Sequence, residues 1–428
     1  MPDRDSRISL PGSIALGTGV MIGAGIFALV GQVAGFEGPW FPLAFLAGGV
    51  VALVSSYAYA RYSSVNPSAG GIAMLLKDAY GPGVIAGSFS LFMYVSMVMA
   101  ESLLARTFGT YLLTPFDLQG SLWVPVLGVA IVAVAATVNL VGNRAVERSA
   151  LVTAIAKILG IAVLAAGGLI AAGVSGNGFF SHGDASPPDP LEALGSVALC
   201  VLAYKGFTTI TNQGDDIRHP EKNLARSITL SILICAALYV LITISVDSSI
   251  GARGAADARD YALAEAAKPL FGSWGVWLTV AVAVIATVSG LLASLYSVSR
   301  LYAMLQDMRQ APRLPAAVSH QPLIITAGAA ILLTATLDLS RIASVGVLLY
   351  LSMDVVVQWG VLRRLREKTH ARAWPLIVTI VLDVGILVPF LLMKATSDLL
   401  AIVVGVAIAA IIIVSQVIVV RRRSRQQT

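Results

Sequence analysis

Two apolar stretches, each long enough to cross a bilayer, are interrupted near their middles by helix-weakening residues. The first covers about 13–33 and contains Ile22, Gly23, Ala24, Gly25, Ile26 and Phe27; the second covers about 191–213 and contains Ala203, Tyr204, Lys205, Gly206 and Phe207. A backbone group without a hydrogen bond is costly in hydrocarbon, so such breaks persist only where they face protein, a cavity or a ligand. One break at the start of each half is typical of a transporter built from inverted repeats, with its substrate at the midplane.

Lys157 lies near the centre of an apolar stretch, too deep for its stem to reach water easily. Charged side chains are costly inside a membrane and usually functional. Burial favours the neutral amine, so Lys157 is a candidate proton carrier. Two other interpretations stay open: a permanently charged lysine with a structural role, and a lysine that reaches the interface on a shifted helix.

Lys205 lies inside the second break, where its ammonium is expected to face the substrate cavity or a vestibule. It could attract an anionic group of the substrate and would disfavour polycations. It could equally pair with Glu101 of the third apolar stretch and make no ligand contact. For Asp354 and Asp383, in late apolar stretches, structural pairing or placement at a helix end is favoured over a proton pathway.

The composition is that of an integral membrane protein. Hydrophobic residues make up 57% of the chain, charged residues 12%, and mean hydropathy is +0.84, whereas soluble domains are roughly 45–50% apolar and about 25% charged. Cys200 and Cys235 lie in apolar runs and have no metal-ligand spacing. No nucleotide-binding loop, zinc motif or serine nucleophile motif is present. We therefore expect no enzyme, catalytic residue, metal or cofactor.

Twelve spans are predicted from windows of about 20 apolar residues. Their approximate limits are 13–33, 40–61, 83–113, 122–141, 150–173, 191–213, 226–247, 274–302, 322–338, 341–362, 374–394 and 398–420.

Of the 29 Lys and Arg residues, 21 fall in segments assigned to one side, five on the other and three inside spans. The positive-inside rule places both termini in the cytoplasm. The charge of +6 thus reflects topology, and no nucleic-acid partner is expected. The charged start lacks a cleavage site, which argues against a removed signal peptide.

The motifs around both breaks resemble a known family. Gly19-Val20-Met21-Ile22-Gly23-Ala24-Gly25-Ile26-Phe27 is similar to the first-helix signature of the amino acid–polyamine–organocation superfamily. The run from Ala203 to Asn212, with the loop Gly214–Asn223, resembles its sixth helix and acidic cytoplasmic loop. Within that superfamily the chain is most similar to bacterial proton-coupled amino acid transporters of broad specificity. In these a fifth-helix lysine, here Lys157, stands where sodium-coupled relatives bind an ion.

The resemblance implies an all-α, LeuT-like 5+5 inverted-repeat fold with helices 1 and 6 broken. The repeats would cover about 10–173 and 190–366, followed by two peripheral helices at about 373–420 and a basic tail at 421–428. It also implies site roles. The substrate carboxylate would meet backbone N–H groups of Gly23, Ala24 and Gly25, as anions do at helix N-termini. Carbonyls near Ala203 and Tyr204 would take its ammonium, Tyr204 and Phe207 would cover the pocket, and Lys157 would approach the Gly19 carbonyl and Ser289.

The expected function is a permease of the cytoplasmic (inner) membrane that moves an amino acid together with a proton by alternating access. Lys205 departs from the family pattern, in which that position is usually uncharged or acidic, and it leaves the substrate class open. An antiporter of two amino acids, or of an amino acid and a polyamine, fits the same fold. A sodium-coupled symporter, a non-transporting receptor and a channel are the remaining alternatives.

Overall fold

The computed structural model describes residues 7–67, 71–142, 144–174, 187–315 and 318–427. In these ranges all regular structure is helical apart from one isolated bridge between Ile8 and Ile217, which confirms the predicted all-α class. Nine helical segments of the described chain are long and apolar enough to cross a membrane. Two of these segments each contain two helices, and the 16-residue helix Gln321–Thr336 is apolar but shorter. The helices therefore form twelve spans, as predicted.

In chain order the spans are Leu10–Glu37 (span 1), Phe41–Val65 (span 2), Val84–Leu113 (span 3), Trp123–Val141 (span 4), Arg144–Val174 (span 5), Pro190–Thr211 (span 6), Pro220–Ala258 (span 7), Ala262–Asp307 (span 8), Gln321–Thr336 (span 9), Leu339–Gly360 (span 10), Ala373–Ser397 (span 11) and Leu399–Gln427 (span 12). A helix at Gly71–Tyr80 and short 3₁₀ turns link several of them. Span 10 continues through a π-turn, Val361–Leu365, into the short helix Arg366–Thr369.

Spans 7 and 8 extend well beyond their predicted limits because the connection between them is itself helical. Gly251 and Gly272 interrupt these helices with φ angles of 67° and 59°. Only glycine adopts such angles without strain, so the chain changes direction there. The connection between spans 7 and 8 is thus made of short helical pieces, whereas most of the connection between spans 5 and 6 lies outside the described residues.

The break predicted in span 1 is wrong, because helical backbone continues without interruption from Leu10 to Glu37. Glycine costs about 1 kcal/mol relative to alanine in a helix interior. That penalty is smaller than the cost of leaving backbone groups unpaired in hydrocarbon. Gly23 and Gly25 are therefore accommodated inside the helix, and their N–H groups belong to its hydrogen-bond ladder.

The break predicted in span 6 is confirmed. An α-helix, Pro190–Tyr204, passes into a 3₁₀ turn at Lys205–Phe207 and a last α-turn at Thr208–Thr211. Nearby hydroxyls satisfy backbone carbonyls at this break. Thr208 Oγ1 donates to the Lys205 carbonyl at 2.9 Å, and Tyr239 of span 7 donates to the Ala203 carbonyl at 3.4 Å.

Candidate functional site

A small cavity of about 30 Å³ lies where spans 1, 3, 6 and 8 meet. It is much smaller than the roughly 300–1,000 Å³ common for ligand pockets, so the helices around it must separate to admit an organic molecule. Four of the predicted substrate-binding residues line this cavity: Gly25, Ala203, Lys205 and Gly206. The site thus lies at the confirmed break in span 6, against the predicted glycine motif of span 1.

The other predicted binding residues do not form the cavity wall. Tyr204 points away, with its hydroxyl donating to the Phe45 carbonyl of span 2 at 2.8 Å. The Phe207 ring packs edge-on against Tyr59, with centroids 5.5 Å apart. Gly23 packs against spans 3 and 8 and Ile22 is fully buried. The side chain of Ala24 lies outside the described residues.

Glycines bring the backbones of spans 1 and 6 into contact at the cavity. A Cβ added to Gly25 would stand 2.7 Å from the Ala203 carbonyl oxygen, and one added to Gly206 would stand 2.6 Å from the Met21 backbone nitrogen. Real Cβ atoms essentially never approach other atoms so closely. Gly25 and Gly206 are therefore needed for close approach of the two spans, which the motif in span 1 provides without breaking the helix.

Lys205 is buried at the cavity with its ammonium on the side of span 3. It donates a hydrogen bond to the Ser96 hydroxyl and lies 5.1 Å from the centre of the Tyr350 ring of span 10. A cation over an aromatic face is stabilised by the ring quadrupole. In the described chain no ion pair within 4 Å joins Lys205 to Glu101, so their predicted direct pairing is absent.

Glu101 lies one residue behind the cavity wall. Its Oε1 accepts a hydrogen bond at 3.3 Å from Ser294 of span 8, which lines the cavity. Its Oε2 is buried and has no hydrogen-bond partner in the described part of the protein. An acidic and a basic side chain thus lie near the same small cavity without touching each other.

Lys157 occupies a separate position on span 5, with a side chain that is 1% exposed. Its Nζ donates to the Gly19 carbonyl of span 1 at 2.8 Å. Span 8 reaches the same point, because a Cβ on Gly290 would lie 3.4 Å from that carbonyl oxygen. The neighbouring Ser289 donates to the Ile285 carbonyl of its own helix at 2.5 Å. Three spans therefore meet at the Gly19 carbonyl.

Contacts at one end of the bundle close it beneath the cavity. The Ile8 N–H donates to the Asp216 carbonyl at 2.8 Å, and the Arg218 N–H donates to the Ile8 carbonyl at 2.9 Å. Arg300 of span 8 pairs with Asp215, at 3.1 Å, and with Asp216. The segment before span 1 and the loop after span 6 are thus held together, and they tie spans 1, 6 and 8 at this end.

The opposite end of the bundle has a wider opening of about 660 Å³ between spans 1, 10 and 11. Arg341 joins Asp338 and Asp398 there, each at 3.2 Å. Asp260, in the turn after span 7, accepts a hydrogen bond from Gln32 at 3.3 Å. Burial raises the pKa of the Asp260 carboxyl, with nearby Arg259 opposing the change.

Thr209 is the most informative cavity residue that the sequence reasoning missed. It follows the break in span 6, lines the cavity, and has a buried hydroxyl without a hydrogen-bond partner among the described residues. A buried unpaired hydroxyl is costly, so Thr209 is a candidate ligand contact. The adjacent polar pair Thr208-Thr209 in an apolar span was the available signal. Span 3 contributes apolar cavity residues such as Met97 and Leu104, and no feature of the sequence distinguishes them from other apolar residues of that span.

Twelve spans, a broken span 6 and a small central cavity define a multi-pass membrane protein with an internal candidate site. Residues 8–423 match the family model described as amino acid permease. The chain belongs to the amino acid permease family and has its LeuT-like fold. It is therefore a transporter of amino acids in a lipid bilayer.

Relatives whose names state a transport function support the same class. The chain is 31% identical to the inner membrane transport protein YbaT of Escherichia coli (strain K12), over 88% of each protein. It is 26% identical to the serine/threonine exchanger SteT of Bacillus subtilis (strain 168), over 72% of this chain and 69% of the relative. It is also 26% identical to the vacuolar cationic amino acid transporter 4 of Arabidopsis thaliana, over 56% of this chain and 42% of that protein.

Proposed function

We propose that this protein is a proton-coupled amino acid symporter of the cytoplasmic membrane. The observation that carries the proposal is the hydrogen bond from Lys157 to the Gly19 carbonyl. It supports a proton role because a buried lysine with no carboxylate partner within 4 Å among the described residues changes its interaction with that carbonyl when it gains or loses a proton. A charged donor makes a stronger hydrogen bond than a neutral one.

The substrate is proposed to bind between the glycines of span 1 and the break in span 6. Its carboxylate would be held by the N–H groups of Gly23, Ala24 and Gly25, which requires one helical turn of span 1 to open. Two glycines in that turn reduce the cost of opening. The ammonium would meet carbonyls around Ala203 and Tyr204, and the Thr209 hydroxyl would supply a further hydrogen bond.

Coupling is proposed to act through the junction of spans 1, 5 and 8. Protonated Lys157 would hold span 1 against span 5 while the substrate enters from the wide end. Loss of the proton would weaken that contact and favour the opposite arrangement. A ligand shifts such an equilibrium only if it binds one state better than the other, and the Lys157 contact supplies such a difference.

Orientation follows from the charge distribution. The end closed by Arg300, Asp215 and Asp216 belongs to the Lys- and Arg-rich side, which we assign to the cytoplasm together with both termini. The wide opening then faces outward. Two five-span repeats, at about 10–173 and 190–366, with spans 11 and 12 peripheral, complete the proposed organisation.

The test uses purified protein in liposomes with a pH gradient, acidic on the substrate side, as the only driving force. Wild type is expected to accumulate a radiolabelled amino acid, chosen by a thermal-shift screen of all twenty. Lys157→Ala is expected to lose accumulation yet retain exchange between equal internal and external pools. Lys394→Ala is the matched control, since Lys394 is a buried lysine at the wide opening. Accumulation by Lys157→Ala would disprove the proton role.

Exchange of one amino acid for another is the second candidate. It is favoured by the relative named a serine/threonine exchanger. An exchanger requires the loaded carrier to cross faster than the unloaded one. Uptake into liposomes preloaded with amino acid should then exceed uptake into unloaded liposomes. Neither uptake should respond to a pH gradient. A sodium requirement for uptake would exclude both candidates in favour of a sodium-coupled symporter.

A further inference from the structure

Two aspartate side chains lie together away from solvent, one in span 10 and one in span 11. Asp354 and Asp383 are both 0% exposed, and their carboxyl groups are within hydrogen-bonding reach of each other. An ionised carboxylate accepts hydrogen bonds and donates none. The contact between them is therefore favourable only when one of the two carries a proton.

Asp354 accepts three side-chain hydrogen bonds. The Tyr59 hydroxyl of span 2 donates to its Oδ1 at 2.6 Å, Gln358 Nε2 donates to the same oxygen at 3.2 Å, and the Ser55 hydroxyl donates to Oδ2. An ionised carboxylate is well suited to accept so many hydrogen bonds. Asp354 is thus the member of the pair that holds the negative charge.

Asp383 lacks any such partner. Both of its carboxyl oxygens are buried without a hydrogen bond in the described part of the protein, and so is the Gln358 side-chain oxygen. These three unsatisfied atoms are all acceptors, whereas the Tyr350 hydroxyl, which faces the pair and is also buried without a hydrogen-bond partner among the described residues, can donate only one proton. Unpaired acceptors therefore outnumber unpaired donors, and the region lacks a further donor. A proton on Asp383 supplies one, because a protonated carboxyl donates through its O–H group.

No cation among the described residues neutralises the pair. In the described chain neither aspartate forms an ion pair within 4 Å. The ionisable groups that face it from spans 2 and 10 are the hydroxyls of Tyr59 and Tyr350, and from span 6 only Lys205 approaches, across the Tyr350 ring. Two adjacent buried carboxylates without a cation would be strongly unfavourable.

We propose that Asp354 and Asp383 form a proton-binding site in which Asp383 carries the proton and donates it to Asp354. The site joins spans 2, 10 and 11, and it is distinct from Lys157 on span 5. Loss of this proton places two anions side by side and weakens the contact of span 11 with span 10. Tyr350 lies one turn before Asp354 and beneath Lys205, so the site borders the cavity. The proposal does not depend on the role proposed for Lys157.

Infrared spectroscopy of the reconstituted protein tests it directly. A protonated carboxyl has a carbonyl-stretch band that an ionised one lacks. Wild type at neutral pH is expected to show this band, and Asp383→Asn to lose it while keeping a donor toward Asp354. Glu101→Gln is the matched control, since Glu101 is the other fully buried carboxyl near the cavity; the Asp383 band should remain in it. Asp383→Ser, which also keeps a donor, is the second variant if Asp383→Asn does not fold.

A second readout is thermal stability as a function of pH. Wild type should lose stability as pH rises through the range in which the band disappears, and Asp383→Asn should lose that part of the pH dependence. A band that is unchanged in Asp383→Asn or Asp383→Ser overturns the proposal. Stabilisation of wild type by sodium chloride but not potassium chloride, absent in the variant, also overturns it, because the site would then bind a metal cation.

Discussion

Replacing Gly25 with alanine tests the close approach of spans 1 and 6. The added Cβ would stand 2.7 Å from the Ala203 carbonyl oxygen and 2.8 Å from the Ala203 Cα. Favourable contacts between carbon atoms lie near 3.5–4.0 Å, so the backbones must separate by about 1 Å. Overpacking of this kind costs about 1–3 kcal/mol, partly offset by about 1 kcal/mol of helix propensity. The protein should fold with a small change in melting temperature.

The separation of spans 1 and 6 should affect transport more than stability. If the strain falls on the substrate-binding arrangement, an energy of about 1–3 kcal/mol corresponds to about 5- to 150-fold weaker binding. The assay is uptake of a radiolabelled amino acid in liposomes, with KM and melting temperature measured on the same preparation. Gly35→Ala, in the same helix as Gly25, is the control. Its added Cβ would meet only the Ala256 Cβ of span 7, at 3.8 Å. Wild-type KM and rate in Gly25→Ala would refute the reasoning.

Three further predictions concern charged groups. Ser96→Ala removes the hydroxyl that accepts a hydrogen bond from Lys205 and should lower the free energy of unfolding by about 1.5–3 kcal/mol. A thermal melt measures this loss. In a protein that also carries Lys205→Met, Ser96→Ala should cause little further loss. Arg300→Gln removes the ion pairs at the closed end and should weaken that closure by about 1 kcal/mol. A thiol reagent inside liposomes should then label Thr209→Cys about two- to fivefold faster when Arg300→Gln is also present. An unchanged labelling rate would contradict the closure. Burial raises the pKa of Asp260, so its contribution to stability is present at acidic pH and lost as pH rises through the raised pKa; Asp260→Asn should flatten that part of the stability profile.

Most of the architecture could be predicted from the sequence because the bilayer imposes simple rules. Apolar runs of about 20 residues give the spans, and all twelve were found. The limits of spans 7 and 8 were missed because helices such as Ala262–Asp307 continue beyond the hydrocarbon, where hydropathy carries no signal. Gly251 and Gly272 turn the chain there because they adopt positive φ angles, and a sequence alone does not give those angles.

The candidate site shows a different limit. In span 6 the sequence Lys205-Gly206-Phe207 indicated a break, and the chain does leave the α-helix at Lys205–Phe207. In span 1 the same argument failed, because glycine serves two purposes: it weakens a helix, and it lets another backbone come close. Gly25 serves the second, and only the position of Ala203 distinguishes the two.

Charge partners were the least predictable feature. Glu101 and Lys205 are each buried near one cavity, yet Lys205 bonds Ser96 and Glu101 bonds Ser294. Buried charges need partners, but the sequence does not say which hydroxyl on another helix comes within reach. Lys157 was the exception, because the family resemblance pointed to the Gly19 carbonyl that it contacts.

Protection of a cysteine in the cavity by substrate tests the central claim most directly. Thr209→Cys places a thiol on the cavity wall, while the native Cys200 and Cys235 are fully buried and should leave wild type unlabelled. If an amino acid binds between the glycines of span 1 and the break in span 6, a saturating amount of a transported amino acid should slow labelling of Thr209→Cys at least tenfold. Equal labelling with and without that amino acid, in a variant that still transports it, would contradict the account.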